Sequence, residues 1–215
     1  MGPLPLPLRN RLAELVLEAF DPGAARATLL VLARASGTDG SEVDTADAAR
    51  LLALGWFESV APGRVRLRGA YRAHGPSLAE RSSRAASVVR EWRERGTEGV
   101  APLLDRAAAL ANHGLFFEVH ELLEPVWFRA EEPARTALQG LIQIAVAFHH
   151  LENGNREGAR SLLVLGVAKV VEAWAALPLD TSGWLDELRA TLATLATGGS
   201  PTLIPPWPRP RIPLP

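Results

Sequence analysis

The chain has 215 residues, a formal net charge of −1, 47% hydrophobic and 22% charged residues, and no cysteine. That is enough chain to bury one large core or two small ones, and its composition is that of an ordinary globular protein. Near-neutral charge argues against a phosphate-binding or anionic-membrane surface. The lack of cysteine excludes disulfides, thiolate catalysis, iron–sulfur clusters and cysteine zinc sites.

The N-terminus, MGPLPLPLRN, carries Pro3, Pro5 and Pro7 and no basic stretch followed by an apolar run. No signal peptide is expected there, and with no membrane-length apolar segment the expected location is cytoplasmic. Leu8, Leu12, Leu15, Val16 and Ala19 recur at helical spacing until Asp21-Pro22. A second helix is predicted from Ala24 to Ala35. A third, capped by Asp44 or Thr45, should run to Leu54 and close at Gly55.

The period then becomes alternating. Segments 56–60 and 64–68 flank Ala61-Pro62-Gly63, which predicts a β-hairpin with Val65 and Leu67 inward and Arg64, Arg66 and Arg68 outward. Helices followed by such a hairpin resemble a winged-helix module, an architecture that often binds DNA. Two features argue against DNA. Arg50 is the one basic residue of the third helix, and residues 1–75 hold nine basic and eight acidic residues.

A helix is predicted over 77–95, with Ser77 and Glu80 as a capping box, a stripe of Leu78, Ala85, Val89 and Trp92, and Gly96 as its end. It reads as a connector between two halves. Further helices are predicted over 102–112, 115–129, 133–152, 154–176 and 182–196, joined by short loops. The closing PPWPRPRIPLP favours extended polyproline structure; it suits an aromatic groove on a partner, or packing against its own domain.

The densest chemistry lies in FFEVHELLEPVWF. At about 100° per residue, Phe116, Leu123 and Trp127 share a face. His120 falls within that face, Glu124 lies close to it, Glu121 sits at its edge, and Glu118 points to solvent. A His and a Glu one turn apart on a buried face each need a partner. The next helix offers Gln139, Gln143 and His150 in one line, with His149 beside them. Pro125 inside the helix predicts a kink or break there.

Three uses of this cluster compete. It can be a buried hydrogen-bond network that fixes helix register, with the Gln side chains satisfying His120 and Glu124. It can be a divalent metal site built on His120, Glu124 and His150. Or it can be a small-molecule pocket beside Trp127. The metal reading lacks the His-Glu-x-x-His of zinc proteases and the paired Glu-x-x-His motifs of di-iron bundles. Phosphate loops and serine nucleophile elbows are absent as well.

The order Gly114, Phe117-Glu118-x-His120-Glu121-x-x-Glu124-x-x-Trp127, then Gln139-Gly140-Leu141-Ile142-Gln143, then His149 and Gly154-Asn155 resembles the prokaryotic family named domain of unknown function 309. The likeness spans about residues 100–198. It implies a compact multi-helical array in which the His-Glu helix packs on the Gln-Gly helix; it marks Glu118 as well, and it supplies no reaction.

The sequence thus predicts a mainly α protein. A winged-helix-like module (1–75) and a connecting helix (76–99) precede a helical domain of about five helices (100–198) and a Pro-rich tail (199–215). The function expected first is non-catalytic binding of a small molecule or protein, through a cleft lined by His120, Glu121, Glu124, Trp127, Gln139, Gln143 and His150. The alternatives are a metal-assisted hydrolase using His120, Glu121, Glu124 and His150, and a DNA-binding regulator acting through Arg64, Arg66 and Arg68.

Overall fold

The computed structural model describes residues 4–35, 40–93, 99–199, 201 and 204–210. The fold is mainly α, as predicted: ten α-helices and one three-stranded antiparallel sheet are found among those residues. No helix among them is long and apolar enough to cross a membrane. The chain divides into two compact units, 1–92 and 93–215.

In the first unit, α1 (Leu6–Glu18) and α2 (Ala24–Ala35) pack against one another across a short turn. The apolar spacing read from the sequence is the buried face of α1: Leu8, Leu12, Leu15, Val16 and Ala19. Arg26 of α2 donates to the carbonyls of Ala19 and Phe20, at 2.9 and 2.8 Å, and so satisfies the end of α1. Asp44 caps α3 (Thr45–Ala53) by accepting from the Asp47 amide at 2.8 Å.

The hairpin is β2 (Phe57–Ala61) and β3 (Arg64–Leu67), with Val65 and Leu67 buried and Arg64, Arg66 and Arg68 outward. A two-residue strand, β1 (Ser41–Glu42), pairs with β3 and gives the order β1-β3-β2. Two residues carry no period, so β1 had no signal in the sequence.

The connecting-helix reading changes. The helix over that region is α5 (Gly75–Glu91), which follows the single turn α4 (Gly69–Arg72) and packs against α2 within the first unit. Its stripe of Leu78, Ala85 and Val89 needs a partner, and α2 supplies it; the unit boundary therefore falls after Trp92 rather than after residue 75. Ser77 is not the N-cap: the helix begins at Gly75, upstream of it, and His74 makes no side-chain cap. Trp92 leaves the helix and stands edge-on to Phe20, ring centroids 5.0 Å apart. Gly96, the expected end, lies outside the described residues.

The second unit contains α6 (Ala101–Ala111), α7 (Phe116–Arg129), α8 (Ala134–Glu152), α9 (Arg156–Ala173) with a 3-10 turn (Trp174–Ala176), and α10 (Ser182–Ala196). Each lies within a few residues of its predicted span. The break expected at Pro125 does not occur: α7 continues for one more turn, where Pro125 sits exposed near the helix end and few further hydrogen bonds are at stake. The Glu132 carboxylate starts α8, accepting from the Thr136 amide (3.1 Å) and hydroxyl (2.6 Å), and the hydroxyl contact holds this carboxyl below its ordinary range. Asn155 caps α9 by accepting from the Gly158 amide at 3.0 Å.

Helices α8 and α9 cross at two glycines. A methyl at Gly140 would stand 2.9 Å from the Gly166 carbonyl oxygen, and one at Gly166 would stand 2.8 Å from the Gly140 carbonyl oxygen. The backbones touch where side chains would hold them apart. Gly166→Ala should therefore lower stability by about 1–3 kcal/mol through overpacking. Gly183→Ala, where a methyl meets nothing within 4 Å, should be neutral or slightly stabilising. Urea denaturation of both variants checks this, and equal stabilities would refute the crossing as a tight contact.

Candidate functional site

Helix α7 positions the predicted cluster, but its phase differs from the sequence reading. The fully buried line runs through Phe116, Val119 and Leu123, where Phe116 meets Phe148 of α8 at 5.4 Å. The helix is rolled toward Val119 relative to the expected face, so His120, Glu124 and Trp127 lie along the margin of the buried face. Glu118, expected in solvent, is completely buried. Phe116 to Val119 are all enclosed, because the first turn of α7 is packed by both α6 and α8 and has no solvent side. The family likeness marked Glu118 where helical periodicity did not.

Along that margin runs a polar strip. The His120 side chain is 25% exposed, Glu121 35% and Glu124 52%. His120 Nδ1 lies 3.1 Å from Glu121 Oε1, within hydrogen-bond reach, while its Nε2 is 3.8 Å from Glu124 Oε1, an ion-pair distance when the ring is protonated. The imidazole thus engages carboxylates of its own helix. One turn beyond Glu124, the Trp127 ring carries the Arg135 guanidinium 5.4 Å from its centroid.

Helix α8 keeps Gln139, Gln143 and His150 half-buried. The two adjacent histidines part company. Asn155 Nδ2 lies 3.0 Å from His150 Nδ1, which ties that residue to the α8–α9 turn. His149 instead lies 5.7 Å from the Phe117 ring, and Phe117 stacks at 6.1 Å on His120, so one phenyl ring is flanked by both imidazoles. Among the described residues no three His, Asp or Glu side chains gather as a metal cluster. Two buried polar atoms, Trp127 Nε1 and Gln143 Oε1, have no hydrogen-bond partner among the described residues.

In the first unit the wing arginines are engaged locally. Arg66 pairs with Glu58 across the strands at 2.7 Å, Arg68 donates to the Phe57 carbonyl at 3.1 Å, and the Arg64 guanidinium lies over Gly40. Arg34 and Arg50 both bind Asp47. A helix-turn-helix joins its two helices by a turn of roughly three or four residues. Here residues 36–44, including β1, separate α2 from α3.

Residues 104–162 match the family described as Domain of unknown function (DUF309). The resemblance read from the His-Glu and Gln-Gly motifs is thus borne out, with the match running from α6 into α9. An uncharacterised protein of Aquifex aeolicus (strain VF5) is 31% identical over 114 residues, which cover 50% of this chain and 33% of that protein. The chain therefore spans about a third of the length of this relative. No solved structure gives a significant match.

Two residues of α7, buried Glu118 and partly exposed His120, should respond oppositely to mutation from what periodicity predicts. Glu118→Ala opens a void and strips a buried polar group, at an expected cost of about 2–4 kcal/mol. His120→Ala removes a half-exposed pair and should cost less than about 1 kcal/mol. Thermal unfolding of the two variants measures the difference; a larger loss at His120 would restore the register-fixing network.

Proposed function

We propose that the DUF309 domain of this chain is a non-catalytic binding module whose α7–α8 strip takes a small amphoteric molecule. The observation that carries this reading is the pair of buried, unpartnered polar atoms, Trp127 Nε1 and Gln143 Oε1. The indole can only donate, so a change of protonation cannot satisfy it in place, whereas the Gln143 amide can turn either its oxygen or its NH2 toward a ligand. Leaving such atoms unpaired costs about 1–3 kcal/mol each, and a ligand that accepts from one and donates to the other recovers it.

Charge is graded along the strip in a matching sense. Glu121 and Glu124 offer carboxylates at one end, while Arg135 over Trp127 offers a cation at the other. A molecule with an ammonium or amide N–H at one end and a carboxylate or carbonyl at the other suits both. His120, a quarter exposed, stands at the carboxylate end beside Glu121 and Glu124. A cytoplasmic setting is the expectation that accompanies this reading.

The metal-assisted alternative has less support, because each ring nitrogen of His120 meets a different carboxylate, Nδ1 that of Glu121 and Nε2 that of Glu124, so no one nitrogen gathers both oxygens. His150 would have to leave Asn155 to join them. The DNA reading keeps Arg64, Arg66 and Arg68 on one hairpin, but the Glu58 partner of Arg66 offsets that charge.

Differential scanning fluorimetry with zwitterionic amino acids and dipeptides, and separately with zinc and manganese salts, distinguishes the readings. A zwitterion should raise the melting temperature of wild type and leave Trp127→Phe unmoved. Trp127→Phe without ligand should be as stable as wild type or slightly more so, because it deletes an unpaired donor and keeps an aromatic ring. A shift with metal alone, abolished by Glu124→Ala, would transfer the site to the metal reading. No shift with either class would sink binding at this strip.

A further inference from the structure

Residues 204–210 read Ile-Pro-Pro-Trp-Pro-Arg-Pro. Four prolines fix φ near the polyproline value and remove four backbone donors, so such a segment is recognised through its carbonyls, its rings and its flanking charge. The second unit holds it in that manner. Asn112, at the end of α6, accepts from the Trp207 amide at 2.7 Å and donates to the Trp207 carbonyl at 3.3 Å. The Trp207 ring stands edge-on to Trp184 of α10, centroids 5.3 Å apart. Arg209 reaches the wholly buried Asp105 at 3.2 Å, and Pro210 pairs with Leu179.

A side-chain amide that reads one backbone unit at both ends, an aromatic wall and a carboxylate for an arginine are the parts of a polyproline-peptide groove. The tail does not satisfy that groove fully. Trp184 of the groove is 5% exposed, yet its indole Nε1 is buried with no hydrogen-bond partner among the described residues, and the tail's own Trp207 likewise leaves its Nε1 unpaired. A hollow of about 480 Å³ remains between α10 and the tail residues Pro201, Ile204, Pro205 and Pro206, walled on the helix side by Glu187, Thr191 and Thr194 among others. Indoles only donate, and a proline-rich segment offers carbonyls without competing amides.

We propose that this groove on α6 and α10 is a docking site for a proline-rich segment of another protein carrying a Trp-Pro-Arg core, and that the chain's own tail occupies it as an incomplete resident ligand. Asp105 selects the arginine, Asn112 the extended backbone, and Trp184 a carbonyl that the tail does not supply. A tethered occupant acts at an effective concentration on the order of millimolar, so it hides the groove from a dilute competitor until displaced. The site shares no residue with the α7–α8 strip and stands independently of the function proposed for that strip.

Fluorescence anisotropy of a labelled peptide with the sequence of residues 204–210, titrated with the full chain, tests the assignment. Trp207→Ala, which loosens the tail, should bind the peptide at least about tenfold more tightly than wild type. Adding Asn112→Ala to that variant should weaken binding by at least about tenfold, since a paired backbone contact is lost. Should circular dichroism show Trp207→Ala unfolded, Arg209→Glu, which breaks only the Asp105 contact, serves the same comparison. Equal affinity in wild type and the folded tail variant, or binding indifferent to Asn112, overturns the proposal. A wild-type dimer in light scattering that the peptide dissociates also overturns it, by giving the groove to the tail of a second copy.

Discussion

The backbone contact between α8 and α9 sets the geometry of the second unit. With Gly140 and Gly166 facing one another, each carbonyl lies where the other residue's side chain would begin. Two helices this close lock in register, because any slide brings a Cβ against backbone. Val170 and Ile144 fill the space beside the crossing. Once α9 covers one side of α8, α7 takes the side that carries Phe148, through its contact with Phe116. The line of Gln139, Gln143 and His150 then falls at the margin between covered and open surface, and it is half-buried for that reason. The polar strip is a consequence of a crossing that contains no polar side chain.

How far the sequence disclosed this depended on whether a residue's environment was set locally. Asp44 before α3 and Pro102 in the first turn of α6 act within one helical turn, and their elements lie close to the predicted spans. The hairpin was equally legible, because alternation and the Pro62-Gly63 turn are local signals. The capping box at Ser77 was a local signal too, yet it lost to an earlier start at Gly75, with Pro76 in the first turn. The identity of the surface that α5 covers was not local. A stripe of Leu78, Ala85 and Val89 states that a partner exists without saying that it is α2.

The candidate site shows the same division more sharply. The residue types that gather on α7 were readable, as was the line of glutamines on α8. The roll of α7 was not, because periodicity averages over a whole helix while enclosure varies along it. The first turn of α7 is packed on every side, so Glu118 is buried on the arc where Pro125, two turns later, is exposed. A single helical wheel cannot represent a helix whose solvent side begins partway along its length. That is also why His120 moved from the centre of an expected apolar face to a partly exposed margin.

Unpaired indoles connect the two faces of this unit. Among the described residues, Trp127, Trp184 and Trp207 bury their N–H groups without an acceptor, and all three lie in the second unit. An indole is a poor choice for simple filling at such positions: Phe or Leu supplies apolar bulk without a donor to leave stranded. Tryptophan is favoured where an apolar body must meet a polar partner, which is the situation of a binding surface. Trp127 stands on the polar strip, Trp184 stands on the groove that holds the tail, and Trp207 belongs to the tail itself. These buried donors, more than the histidine and carboxylates first singled out, mark where the unit has hydrogen-bonding capacity left unused among the described residues.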